Sequence, residues 1–279
     1  MSTPAAIPGD GRMRRIARFP LTWMLVGLLG LSVVSALTGG GAPVLAVVGA
    51  VAAVVVYRAV MRFVAGRPTP EIARAGAGRE ALSGAGIGLG FVLGSALLIA
   101  AAGGYSFSWS SGNLLPVVLA AAATAVGAAV TEELMFRGLA LQALEALWGS
   151  RVALAVTALL FGGMHLGNPG ATVWSSLAIA IEAGVLLGAA YLWRRSIWFV
   201  AGLHFAWNAT ENLLGIPVSG HVSPGLLTAE VSGPAVLTGG EFGLEASIVP
   251  VLLSLLLAVP MLVRAHRRGG LLPARRGGR

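Results

Sequence analysis

The chain has 279 residues, of which 56% are hydrophobic and only 11% charged, against roughly a quarter charged in an ordinary soluble domain. With a mean hydropathy of +0.84, it has too little polar surface to cover a soluble body, so a water-soluble globular protein, a disordered chain and a disulfide scaffold are all excluded. The net charge is +8, and all 19 basic residues are Arg; they stand in short runs beside apolar stretches rather than on one basic face, which argues against a nucleic-acid partner.

The apolar stretches have helical length. Eight are predicted, over residues 21–37, 43–61, 84–103, 114–131, 152–166, 173–193, 197–214 and 247–263. A helix rises about 1.5 Å per residue and the hydrocarbon core is about 30 Å thick, so about 20 residues span it. The expected fold class is all-α: a polytopic transmembrane helical bundle of about eight spans. The 40 Gly suit close helix approach in lipid.

Arg placement sets the orientation. Arg12, Arg14, Arg15 and Arg18 precede the first span, and Arg62, Arg67, Arg74 and Arg79 lie between the second and third. Arg137 and Arg151 lie between the fourth and fifth, and Arg194 and Arg195 between the sixth and seventh. Arg264, Arg267, Arg268, Arg275, Arg276 and Arg279 follow the eighth. The alternate links carry no Arg, so both termini are expected in the cytoplasm. The expected organisation is a cytoplasmic tail (1–20), three helices (21–113), a four-helix core (114–214), an irregular outer loop (215–246), and a last helix with a basic tail (247–279).

Ionisable residues inside a bilayer are costly and point to function. Glu132-Glu133-Leu134-Met135-Phe136-Arg137 places Glu133 and Arg137 at i and i+4, where they can pair, while Glu132 is rotated by about 100° and faces elsewhere. Phe161-Gly162-Gly163-Met164-His165 ends the fifth span, and His204-Phe205-Ala206-Trp207-Asn208 lies in the seventh. Alone, each has an ordinary reading: solvated charges at a helix end, a packed His, interhelical hydrogen bonds. Together they converge. If a hairpin turns near Gly149-Ser150, Glu132 and His165 stand at about the same height, roughly 25 Å from the turn.

A carboxylate beside a neutral imidazole can deprotonate water, and a His and an Asn can donate to an oxyanion. The same Glu and His atoms are also ligands for Zn²⁺, and the residues leave both options open. No His-Glu-x-x-His or Gly-x-Ser-x-Gly occurs, and the only Asp is Asp10, so a two-Asp mechanism is out. With zero Cys, so is a thiol nucleophile. Glu182, inside the sixth span, is read as lining the cavity or pairing with an Arg. Glu211 extends the stripe of His204 and Asn208 along the same helix face, where interhelical packing is the ordinary reading and support of the site the alternative, and Glu145 is read as surface.

In order and spacing, Glu132-Glu133-x-x-x-Arg137, Phe161-x-x-x-His165 and His204-x-x-x-Asn208 resemble the CPBP family, the CAAX-type prenyl endopeptidases and bacteriocin-processing proteins of the Abi group. The resemblance covers 114–214. It implies an intramembrane endopeptidase with Glu132 as base, His165 holding the water, His204 and Asn208 at the oxyanion, and Glu133, Arg137 and Phe161 organising the site. If a divalent metal such as Zn is involved, Glu132, His165 and His204 are its expected ligands. The expected substrate is a peptide or protein in or at the membrane, and the expected location a bacterial cytoplasmic membrane. Two rivals share the composition: a catalytically silent scaffold or immunity protein binding a peptide in the same pocket, and a small-molecule transporter. The latter usually shows paired repeats, and none is visible.

Overall fold

Proline opens the first two long helices at the position where a missing N–H does no harm: α2 (Pro20–Thr38), preceded by the short α1 (Asp10–Ala17), and α3 (Pro43–Ala59). The computed structural model describes residues 10–40 and 42–274. Beyond α3 a π-helical turn (Val60–Ala65) leads to α4 (Ala77–Ala101), β1 (Tyr105–Trp109) and α5 (Leu114–Glu133). A second π-helical stretch (Leu134–Leu141) joins α5 to α6 (Gln142–Met164). Then come α7 (Val173–Ile179), a third π turn (Ala180–Val185), α8 (Leu186–Arg194) and α9 (Ile197–Leu214). β2 (Leu227–Val231), α10 (Ala235–Thr238) and α11 (Ile248–Arg267) complete the order.

The fold is mostly helical and built like a membrane protein. Among the described residues, six helical stretches are long and apolar enough to cross a bilayer: Pro20–Thr38, Pro43–Ala65, Ala77–Ala101, Leu114–Gly167, Val173–Arg194 and Ile248–Arg267. Their outward faces carry exposed Leu25, Leu29, Val51, Leu97, Leu119, Leu159 and Leu256, an arrangement that water would penalise and lipid does not. Leu114–Gly167 breaks at Gly149, whose φ of 80° and ψ of 166° suit glycine alone. The predicted turn is therefore present, and it separates the predicted fourth and fifth spans. The predicted seventh span, α9, is not among the six. It carries His204, Asn208, Glu211 and Asn212, all buried inside the protein.

That burial depends on small residues. A Cβ at Gly84 would lie 1.9 Å from Phe199 O, one at Gly88 would lie 2.2 Å from Leu203 O, and one at Gly202 would lie 2.1 Å from Ala81 O. The α4 and α9 backbones thus touch directly, as small-x-x-x-small packing allows.

Three expectations need correction. The bundle is not all helix: β1 pairs antiparallel with β2, with Tyr105 opposite Val231 and Trp109 opposite Leu227. Residues 215–246 are consequently not one irregular loop, because they contribute that strand, α10 and 3-10 turns. Glu145 is not a surface residue: it is 5% exposed and pairs with Arg195 at 2.6 Å. Of the expected tails, residues 1–9 and 275–279, including Arg275, Arg276 and Arg279, lie outside the described residues.

Candidate active site

Glu132 and Glu133 end α5, and the helical rotation between adjacent residues separates their surroundings. Glu133 is fully buried. Its Oε1 accepts a hydrogen bond from Arg137 Nη1 at 2.9 Å and lies 2.9 Å from His204 Nδ1, while its Oε2 has no partner among the described residues. The Glu132 side chain is 34% exposed, and its Oε2 lies 4.0 Å from His204 Nε2, beyond hydrogen-bond length.

Arg137 is 2% exposed, where an unpaired charge would be expensive. Besides Glu133, it donates through Nη2 to Ala183 O at 2.5 Å and Gly184 O at 3.2 Å. Both carbonyls belong to the π turn after α7. Its guanidinium also covers the Phe161 ring, 5.0 Å from the centroid. Phe161 in turn packs against His165 and His204, with centroids 4.9 Å and 6.4 Å apart. The stretch bearing Arg137 is itself braced: Gln142 Nε2 donates to Gly138 O at 2.9 Å, and Arg67 Nη2 donates to Gln142 Oε1 at 2.7 Å.

His165 begins the 3-10 turn after α6. Its Nδ1 lies 2.7 Å from Phe161 O, and a carbonyl only accepts, so Nδ1 carries a proton and Nε2 is left for the solvent side. The same logic makes His204 Nδ1 the donor to Glu133. Asn208 is one turn beyond His204 on α9, is 8% exposed, and its side chain makes no hydrogen bond within the described residues.

These side chains meet at one cavity of about 650 Å³. Glu132, Phe161, His165, His204 and Asn208 all line it, whereas Glu133 and Arg137 lie behind the wall. The structure therefore brings the candidate residues of three helices together. Among the described residues, no three His, Asp or Glu side chains gather into a group that could hold a metal ion. His204 turns Nδ1 to Glu133 and presents Nε2 toward Glu132.

Of two other acidic residues, one departs from expectation. Glu182 neither lines the cavity nor pairs with an Arg among the described residues: it is fully buried, and neither carboxyl oxygen finds a partner among them. Glu211 is also buried and accepts from Trp207 Nε1 at 3.0 Å. A third, Glu245, escapes sequence reading. It is 4% exposed and lines the same cavity. Burial pushes its carboxyl above the usual carboxylate range, against the opposing pull of its Ser219 hydrogen bonds and of His165 and His204. The signal available was a carboxylate set between apolar Leu244 and Ala246, just before an apolar helix.

Residues 113–210 match the family described as Type II CAAX prenyl endopeptidase Rce1-like. A domain of the CAAX-protease superfamily is therefore present over this part of the chain, and it contains every motif residue from Glu132 to Asn208. No curated protein and no solved structure matches the chain.

Proposed function

We propose that this chain is an intramembrane endopeptidase that hydrolyses a peptide bond in a membrane-associated or lipid-modified substrate. In this reading it crosses a bacterial cytoplasmic membrane eight times, with both termini in the cytoplasm, and α9 and the hairpin broken at Gly149 supply the spans beyond simple hydropathy. The homologous domain makes a protease the natural class. The observation that carries the reading is the convergence of Glu132, His165, His204 and Asn208 on one cavity.

The chemistry follows from the groups' protonation and exposure. Glu132 is the accessible carboxylate and takes a proton from a water in the cavity. His165 offers Nε2, unprotonated, to the water's second hydrogen and so aims its lone pair. The hydroxide adds to the carbonyl carbon, and negative charge grows on the carbonyl oxygen. Asn208 donates to that oxygen from its side-chain amide. His204, held by Glu133 through Nδ1, donates from Nε2 when both nitrogens carry protons. Donors fixed in advance by the fold stabilise charge more strongly than water would. Glu133, Arg137 and Phe161 fix the ring's position.

The test compares peptide ends in native membranes carrying the wild type or Glu132→Ala, read by mass spectrometry. Cleavage products that vanish in the variant support the endopeptidase and name its substrate. Identical peptide ends, with both proteins folded and abundant, overturn it in favour of a binding scaffold.

A further inference from the structure

The hydrolysis leaves one proton unassigned, the one that the departing amine needs before the C–N bond breaks. We propose that Glu245 in its acid form donates that proton, making it a second catalytic carboxyl facing Glu132's cavity. The inference rests on the endopeptidase reading.

The geometry comes first. Glu245 lies in a 3-10 turn (Leu244–Ala246) that follows the strand–loop region, outside the matched domain. Its Oε2 accepts from Ser219 N at 2.6 Å and from Ser219 Oγ at 2.7 Å. Those two donors use both lone pairs of Oε2, so the acid proton belongs on Oε1. Oε1 takes no hydrogen bond from the described residues, and it is not among the sealed, unpartnered oxygens that mark Glu182 and Glu211. It is the oxygen presented to the cavity that Glu245 lines.

The mounting is rigid. Ser219 sits at φ 48°, a left-handed conformation that a non-glycine residue holds only when its surroundings enforce it. Asn168 Nδ2 secures the Ser219 carbonyl at 3.0 Å, and Asn168 lies just past the His165 turn. Gly220 N donates to Phe242 O at 2.8 Å, tying the two loop segments together. The loop thus holds Glu245 in register with the catalytic His rather than leaving it free.

The environment suits a donor. The charged and titratable groups around Glu245 are His165 and His204, whose charge acts on it, and Glu182 and Glu211, which its own charge reaches, with His221 on the cavity wall. Burial of the Glu245 carboxyl favours the neutral acid and outweighs the pull of Ser219, His165 and His204 toward the anion, and a buried neutral acid is the form needed to give up a proton. The balance closes. Glu132 gains one proton from water and Glu245 loses one to the amine nitrogen as the C–N bond breaks. After the products leave, a proton passes from Glu132 through cavity water to Glu245.

The test uses the full chain in lipid, with amide and ester versions of the bond identified by the peptide-end comparison. For Glu245→Gln, kcat on the amide is expected to fall about 100-fold or more, with KM little changed. The alkaline limb of the pH–rate profile should disappear. The loss should largely vanish on the ester, whose leaving oxygen needs no proton to depart; structural damage would slow both bonds alike. Glu245→Asp should restore part of the amide rate. A Glu245→Gln enzyme with the wild-type amide rate and pH profile, or with equal losses on amide and ester, overturns the proposal. If Glu245→Gln does not fold, the acid carboxyl is sought by infrared titration of the wild type and of Glu245→Asp: a protonated carboxyl band shifted by the Asp substitution supports it, and an unshifted spectrum overturns it. Glu132→Gln runs in parallel. If it cleaves as the wild type does, the endopeptidase reading itself fails; if it is inactive while Glu245→Gln is normal, only the proton-donor assignment falls.

Discussion

His204 Nδ1 stands 2.9 Å from Glu133 Oε1, the same oxygen that Arg137 reaches from one helical turn further along. Glu133 therefore lies behind the cavity while its neighbour Glu132 lines it, and under the proposed chemistry substitutions at the two should separate stability from catalysis. Glu133→Ala strands a guanidinium that is 2% exposed, and breaking such a pair costs about 3–5 kcal/mol. The expected result is a large drop in the thermal unfolding midpoint in detergent. Glu132→Ala removes a partly exposed side chain and should change stability by about 0.5 kcal/mol or less, while abolishing cleavage. Equal midpoints for the two variants would refute this division of labour.

Much of this site was legible because helical spacing is strict. Glu133 and Arg137, Phe161 and His165, and His204 and Asn208 are each four residues apart, and a turn at Gly149 is enough to bring the first two pairs level. The rest was not legible for identifiable reasons. The π-helical stretches that free the Ala183 and Gly184 carbonyls for Arg137 have no sequence rule. Glu245 gains its depth from a loop folding over the bundle, a long-range event invisible to local pattern. The β1 strand did leave a trace, since Tyr105-Ser106-Phe107-Ser108-Trp109 alternates with period two, the signature of a strand. Its partner Leu227–Val231 is more than a hundred residues away, and that distance hid the pairing.

The proposed topology has a direct check, because the chain contains no Cys and each introduced thiol is unique. Arg268→Cys follows the last helix and Ser232→Cys follows β2; both positions are exposed. In intact cells a membrane-impermeant maleimide should label Ser232→Cys only. Arg268→Cys should react only after the membrane is opened. Labelling of both from outside would overturn the eight-span arrangement.

The α4–α9 contact should be intolerant of a single methyl. A Cβ at Gly88 meets Leu203 O at 2.2 Å, and neither backbone can move alone. Gly88→Ala is expected to push α9 outward, at an overpacking cost of about 1–3 kcal/mol. Because α9 carries His204 and Asn208, the displacement should also reduce kcat; a misplacement of about 1 Å can cost about 100-fold. Gly90, on the same helix, has open space where its Cβ would be. Gly90→Ala should match the wild type in both unfolding midpoint and turnover, and a Gly88→Ala enzyme that does the same would show that the backbone contact does not position α9.

The turn at Gly149 is held from outside by the segment after α11. Arg195 reaches Glu145 at 2.6 Å and 2.8 Å and also donates to Gly270 O. Glu145 in turn accepts from Ser150 Oγ. Leu272 completes the lock: its carbonyl accepts from Ser150 N at 3.0 Å, and its own N–H donates to Ser150 Oγ at 2.8 Å. A Cβ at Gly149 would lie 2.6 Å from Ala274 N, so the strap passes directly over the turn. Arg195→Ala leaves the buried Glu145 carboxylate with Ser150 alone, and deletion after Arg268 leaves the Ser150 backbone N–H unmet. Each should lower the unfolding midpoint. Because both act through Glu145 and Ser150, their combination should cost less than the sum, by a coupling of about 0.5–3 kcal/mol. Strict additivity in a double-mutant cycle would mean that the strap and the Arg195 pair stabilise the hairpin independently, and that the tail does not help to set the height at which Glu132 meets His165.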